Sequence, residues 1–492
     1  MFQHKHQRDF GGLVDPKLLK SDKRLFDPSH KLSTSNGRSS LKDSVSIKNT
    51  SSLDFLHGYQ SSCATLSPEI IEPINRRAID FFLSVHVFRE CGIFRGNYEY
   101  LSVFINGVSV SQPLVTSLNA VALAAYAHSF KYPNLLQEAR RQYGYALRLV
   151  NTAISSPEEI IKSSTLSSVL LLSTFDTLTG ETKKSLVPCV SHMMGAMWIL
   201  CLNGHALSKS RTCLQLFLHV CWSLFQTCIT CSTRIPEEVI NLRRYAASAL
   251  NTNDPGWKLC DVAITVAKFR ADVKEGILLD CDSNVKIALE LDFELASLAD
   301  SMPTQWRFDS VPIKEMSELV WGACYHVYPD QWVAHIWNSL RTYRLLLHKE
   351  IRSQLEDKRA ISPLLFSDMD ALNYQYSTKT LDQMISQICA TVPQYSGYLQ
   401  VLAHTGTLAE IPNSSETILS SEASSVTNGI PTIAGVYFIL WPLLNAGQTT
   451  DSDIQRNWII ERSRYIGKVI GIRQAFVFAD VIERGEKIWQ QV

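Results

Sequence analysis

The stretch AVALAAYAHSFKYPNLLQEARRQYGYALRLVNTAI (120–154) decides the fold class. Within it Leu136, Ala139, Tyr143, Ala146, Val150 and Ala153 recur at intervals of three and four, the repeat that lines one face of an α-helix. The same spacing reappears on either side. Leu214, Phe217, Leu218, Cys221, Leu224, Phe225 and Cys228 predict a second helix. Trp332, Ile336, Leu340, Tyr343 and Leu347 predict a third. Leu381, Met384, Ile385, Ile388 and Cys389 predict a fourth, stopped near Pro393, because proline lacks the amide and clashes with the preceding turn. Breaks at Ser156-Pro157, Asp254-Pro255-Gly256 and Met302-Pro303 separate these helices. Between Val285 and Leu295 every second residue is apolar, a strand pattern. The Ala, Leu and Glu content and the lack of partner strands favour helix there. The expected class is all-α.

Composition agrees with a large buried body. Apolar residues make up 46% of the 492 and charged residues 19%, against about 25% charged in typical soluble domains. Lys/Arg and Asp/Glu balance at 47 each, which argues against a protein that coats nucleic acid by charge alone. The balance hides an asymmetry. Residues 1–60 carry ten basic and six acidic side chains with ten serines, leaving the remainder at −4. The expected organisation is therefore a disordered, basic, Ser-rich linker over 1–65 and a helical unit over 66–492. A flexible loop is expected near 405–431, where Ser, Thr, Gly and Asn dominate. KLLKSDKR (17–24) reads either as solvated linker or as a weak nuclear-import patch.

The N-terminus has no apolar signal region, and the longest apolar runs, VLLLSTF (169–175) and GVYFILWPLL (435–444), fall short of a span. No membrane is expected, and the twelve cysteines are read as reduced core residues. Sequons at Asn49 and Asn413 are read as chance matches. Phosphate-loop, dinucleotide, HExxH and GxSxG patterns are absent; GETKKS (180–185) lacks the upstream glycine of a phosphate loop. Cys228 and Cys231 form one C-x2-C pair without a second, so packing is expected rather than zinc. His192 and His219 are expected as hydrogen-bonded core histidines, and His335 and His348 as partly exposed. The doublets Arg76-Arg77, Arg140-Arg141 and Arg243-Arg244 are read as solvated helix faces. No catalytic, cofactor-binding or metal-binding residue is singled out, and no enzyme is expected.

Several ordered stretches resemble one family. Residues 120–154, STLSSVLLLSTFDTL (164–178) and SHMMGAMWIL (191–200) are similar to the start of the fungal-specific transcription factor domain. WVAHIWNSLRTYRLLLHKEI (332–351) looks like its central Trp, Trp-Asn and Arg helix, and QICATVPQYSGYL (387–399) like its Ile-Cys and Val-Pro motif. GVYFILWPLLNAG (435–447) and WIIERSRYIGKVIGIRQAFVFADVI (458–482) look like its C-terminal signature. The resemblance covers about residues 68–490. It implies an all-α fold, a nuclear location and control of transcription, often of metabolic or secondary-metabolite gene sets. Physically, Trp337 and Trp441 read as packing anchors and Pro442 as a kink or stop. Gly467 and Gly471 read as a close helix approach, and Gln474 as a buried bridge.

The family's binuclear zinc cluster places six cysteines and a short helix at the DNA. Here no cysteine precedes Cys63, so direct DNA reading does not carry over. A cluster encoded upstream, a regulator that lost it, and an inhibitory regulatory half remain open. The expected partners are the transcription machinery or a DNA-binding partner, a second copy of the chain, and a small-molecule effector in an interhelical pocket. The alternatives are a helical scaffold outside transcription and, third, a metabolic enzyme.

Overall fold

The computed structural model describes residues 68–87, 98–105, 111–202, 210–313, 316–396 and 435–486. The expected linker at 1–65 and the loop near 405–431 lie outside the described residues. The described residues form sixteen α-helices: α1 Pro68–Val85, α2 Leu101–Ile105, α3 Gln112–Phe130, α4 Pro133–Ile154, α5 Pro157–Ile160, α6 Ser163–Thr179, α7 Leu186–Leu202 and α8 Arg211–Cys231. They continue as α9 Glu237–Ala246, α10 Pro255–Lys274, α11 Cys281–Asp300, α12 Gln331–Ile361, α13 Asp368–Tyr395, α14 Val436–Gly447, α15 Asp453–Tyr465 and α16 Gln474–Glu483. The all-α expectation holds, and so does the choice of helix for 285–295, which falls within α11.

One short antiparallel hairpin was not legible. Strands β1 Asp309–Pro312 and β2 Cys324–Val327 pair Val311 with Tyr325 and enclose a small apolar cluster with Val320. Four residues are too few for alternation to announce a strand.

Helix starts follow local chemistry. Asp254 accepts from the amides of Gly256 and Trp257 to cap α10, and Asp330 accepts from Val333 to open α12. Ser367 and Asp370 form a reciprocal capping box at α13. Each occupies amide donors that a helix start leaves free. At the C-terminus of α8, Arg270 donates to Ile229 O and Ser232 Oγ, and Lys274 to Cys231 O. Cations there meet the negative end of the helix dipole.

A single apolar core runs from Ala78 to Ile482. Helices α3, α4 and α6 pack together at one end, and α11, α12 and α13 at the other; α14 lies against α12 and α13. Helix α12 is enclosed on nearly every side from Gln331 to His348. Consequently its polar residues are interior, and the expectation of partial exposure fails for two of them: His335 is 5% exposed and His348 0%. Arg243 likewise leaves the solvated-face reading. It is buried, donates to Asp261 and to Trp257 O, and lies 3.6 Å over the Trp257 ring. Its neighbour Arg244 stays exposed.

Helix α13 ends near Pro393 as expected, whereas Pro442 does not end its helix. Pro393 sits inside α13, which ends at Tyr395, and Pro442 sits inside α14, which continues to Gly447. The glycine pair does more. A Cβ on Gly467 would lie 2.6 Å from Phe476, so this position needs glycine for close packing. Gly471 has φ +88°, a conformation that costs any residue with a side chain. Two helical segments, Lys183–Leu202 and Arg211–Cys231, are long and apolar enough to cross a membrane. The uninterrupted runs counted in the sequence understated this. Arg211–Cys231 is α8, whose Leu214, Phe217, Leu224 and Phe225 belong to the protein core.

Candidate functional site

Six helices and the segment before α2 line an interhelical cavity of about 150 Å³. Helices α6 and α7 supply Ser173, Thr177 and Cys189. Helix α8 supplies His219, Trp222 and Gln226, one turn apart along its inner face. The opposite wall comes from the C-terminal half: His335 on α12 and Phe438, Trp441 and Gln474 from α14 and α16. Among the described lining residues none is Lys, Arg, Asp or Glu. The expectation for Gln474 is met in part: it is buried and lines this space.

His335 is the feature that makes this more than a packing gap. Its ring stacks on Phe438 at 4.1 Å and meets Trp222 edge-on at 5.3 Å. Neither ring nitrogen has a hydrogen-bond partner among the described residues. A neutral imidazole carries one donor and one acceptor, and leaving either unmet in the interior costs about 1–3 kcal/mol. Burial pushes the ring's pKa down from 6.5 to about 3, so it is neutral at physiological pH. The other wall histidine is satisfied: His219 Nδ1 lies 3.1 Å from the Tyr100 hydroxyl, and burial lowers its pKa to about 4. Behind the wall, His86 Nδ1 lies 2.8 Å from the hydroxyl of Tyr437, itself a lining residue. Burial pushes the Tyr98 hydroxyl and the Cys189 thiol upward too. The whole lining is uncharged.

A second polar cluster looks catalytic in composition only. His348 Nδ1 is 3.0 Å from Ser377 Oγ, and His348 Nε2 is 3.1 Å from Asp292 Oδ2. Arg344 clamps the same carboxylate at 2.6 and 3.1 Å. Burial raises the Asp292 pKa, but His348 and Arg344 outweigh it and hold the carboxyl at about 2. Serine, histidine and aspartate in this order match the parts of a hydrolytic triad. Ser377 and His348 are fully enclosed, however, and the cluster ties α11, α12 and α13 together. The signal for it, spread over 85 residues, was beyond sequence spacing.

Cys228 and Cys231 are both buried in α8, and burial pushes the Cys228 thiol up to about 12. Among the described residues no group of three or more His, Cys, Asp or Glu converges to hold a metal ion.

The cavity's first wall, from Tyr98 to Thr227, lies within one recognisable segment. Residues 85–246 match the fungal specific transcription factor domain. This transcription factor domain spans the quoted stretches 120–154, 164–178 and 191–200; the motifs at 332–351, 387–399, 435–447 and 458–482 lie beyond it. The match suggests a transcription regulator. No curated protein and no solved structure matches the chain. The cavity therefore sits where the transcription factor domain meets the C-terminal helices.

Proposed function

We propose that this chain is a nuclear regulator of transcription that controls a metabolic or secondary-metabolite gene set through its helical body. The observation that carries the reading is the match of residues 85–246 to the fungal specific transcription factor domain. The ordered motifs from Trp332 to Ile482 extend the same resemblance. Protein contacts rather than base contacts deliver the regulation in this reading. Its net positive charge lies in residues 1–60, which supports weak, salt-sensitive DNA contact at most. Protein partners have apolar surface to use: Ile361, Leu364, Leu365 and Met369 are exposed around the turn between α12 and α13. Clustered exposure of this kind marks interaction surfaces.

The test is a tagged full-length chain combined with deletion of its gene. The tag is expected in the nucleus, and deletion is expected to change a bounded set of transcripts, with metabolic genes over-represented. A cytosolic tag with an unchanged transcriptome would remove this reading.

A further inference from the structure

The interhelical cavity has size, polarity and an unmet bonding demand, and the three specify a ligand. Cavities of about 150 Å³ accept a benzene-sized ring when their walls are apolar. Here the walls include Trp222, Phe438 and Trp441, whose faces and edges favour a flat aromatic guest. The wall also presents His335, buried, with two ring nitrogens that no described residue satisfies. Since a neutral imidazole offers one donor and one acceptor, its complement carries a group that both gives and takes a hydrogen bond. Gln226 and Ser173 add further polar groups on the facing wall. With no charged lining residue, neither an anion nor a cation finds a counter-charge, and burying one without a partner is heavily penalised.

We infer that the cavity binds an uncharged, single-ring aromatic compound bearing a hydroxyl or amide group, hydrogen-bonded to His335. This deepens, and rests on, the reading of the helical body as a regulatory unit. A ligand here touches α6, α7 and α8 of the transcription factor domain and α12, α14 and α16 of the C-terminal half. It would therefore favour the arrangement in which the two halves close on each other.

Titration of the purified full-length chain tests this, with phenol and benzamide as neutral probes and benzoate as the charged analogue of the same shape. Calorimetry gives the affinity, and quenching of Trp222 and Trp441 reports on the wall. Phenol and benzamide are expected to saturate one site. Benzoate is expected to bind at least about tenfold more weakly. His335→Phe keeps the ring contacts and removes both nitrogens; it is expected to weaken phenol about tenfold, the worth of one hydrogen bond. Ser223→Leu fills the cavity from α8 and is expected to abolish binding while leaving the helical circular dichroism intact. That variant keeps the test decisive if His335→Phe fails to fold. No saturable binding of either neutral probe, equal affinity for benzoate, or unchanged affinity in the cavity-filled variant would overturn the inference. Binding is read on purified protein, so its failure leaves the transcriptional reading to its own experiment.

Discussion

Acidification from pH 7.5 to 5 is expected to destabilise the protein by about 6 kcal/mol, enough to unfold much of it. Three enclosed histidines set the minimum of this expectation, and His326 and His128, lowered by burial to about 3 and about 4, add to it in the same direction. Burial lowers His86 and His335 to about 3 and His219 to about 4, from 6.5. Between those limits the unfolded chain binds more protons than the folded one, so stability rises with pH. At pH 5, about 1.5 pH units below the unfolded value, keeping each ring unprotonated costs about 2 kcal/mol. Globular proteins hold only about 5–15 kcal/mol in total. One buried pair nearly cancels itself. Asp176 is raised to about 7 by burial, while His192, whose Nε2 lies 3.4 Å from it, is lowered to about 4. Asp176 contributes stability below 3.8 that is lost as pH rises through 7, opposite in sign to His192. Below pH 4 a further contribution disappears, because Asp292 sits at about 2 when folded and 3.8 when unfolded. Urea unfolding at half-unit intervals from pH 7.5 to 4.5 measures the slope. His335→Phe is expected to flatten it by about one proton. A pH-independent midpoint across that range would refute the account of the histidine core.

Replacing Arg341 by alanine is expected to cost about 4 kcal/mol. The guanidinium is 1% exposed. It donates to Tyr328 Oη at 2.6 Å, Gln387 Oε1 at 3.0 Å and Asn338 Oδ1 at 3.2 Å, and lies 5.0 Å from the centre of the Phe308 ring. Among the described ion pairs none involves it. The charge is therefore held by neutral oxygens, and hydrogen bonds to a charged group are worth about 1.5–3 kcal/mol each, though not additively. Alanine leaves the Gln387 and Asn338 oxygens without this donor and Tyr328 Oη with His326 Nδ1 alone, and opens a cavity beside Phe308 and Trp337. Arg341→Met keeps most of the stem packing and is expected to lose roughly half as much. Denaturant midpoints of the two variants decide the matter. An alanine variant within 1 kcal/mol of the parent would show that the cluster is not a structural keystone.

These two cases show what the sequence disclosed and what it withheld. The stripe Leu214 to Cys228 and the stripe Trp332 to Leu347 disclosed α8 and α12 because periodicity records which side faces apolar neighbours. Periodicity says nothing of what covers the remaining sides. Helix α12 is covered all round, so His335, Asn338, Arg341 and His348 are interior although they lie off its apolar stripe. Their partners, Thr391, Gln387 and Ser377, sit on α13, tens of residues away. The Trp, Trp-Asn and Arg spacing flagged the right helix through family resemblance, without revealing why its polar residues are there. The cavity was foreseen only as an interhelical pocket. Its walls come from helices separated by up to 300 residues, and the decisive residue, His335, was read as partly exposed.

The central claim is that the helical body regulates transcription without reading DNA itself. Fusing the full-length chain to an unrelated DNA-binding module, upstream of a reporter with matching sites, tests it most directly. The fusion is expected to shift reporter output several-fold relative to the module alone. The unfused chain at equal abundance is expected to leave it unchanged. A fusion that leaves the reporter at the level of the module alone, with the protein shown to be folded and bound at the promoter, would contradict the account.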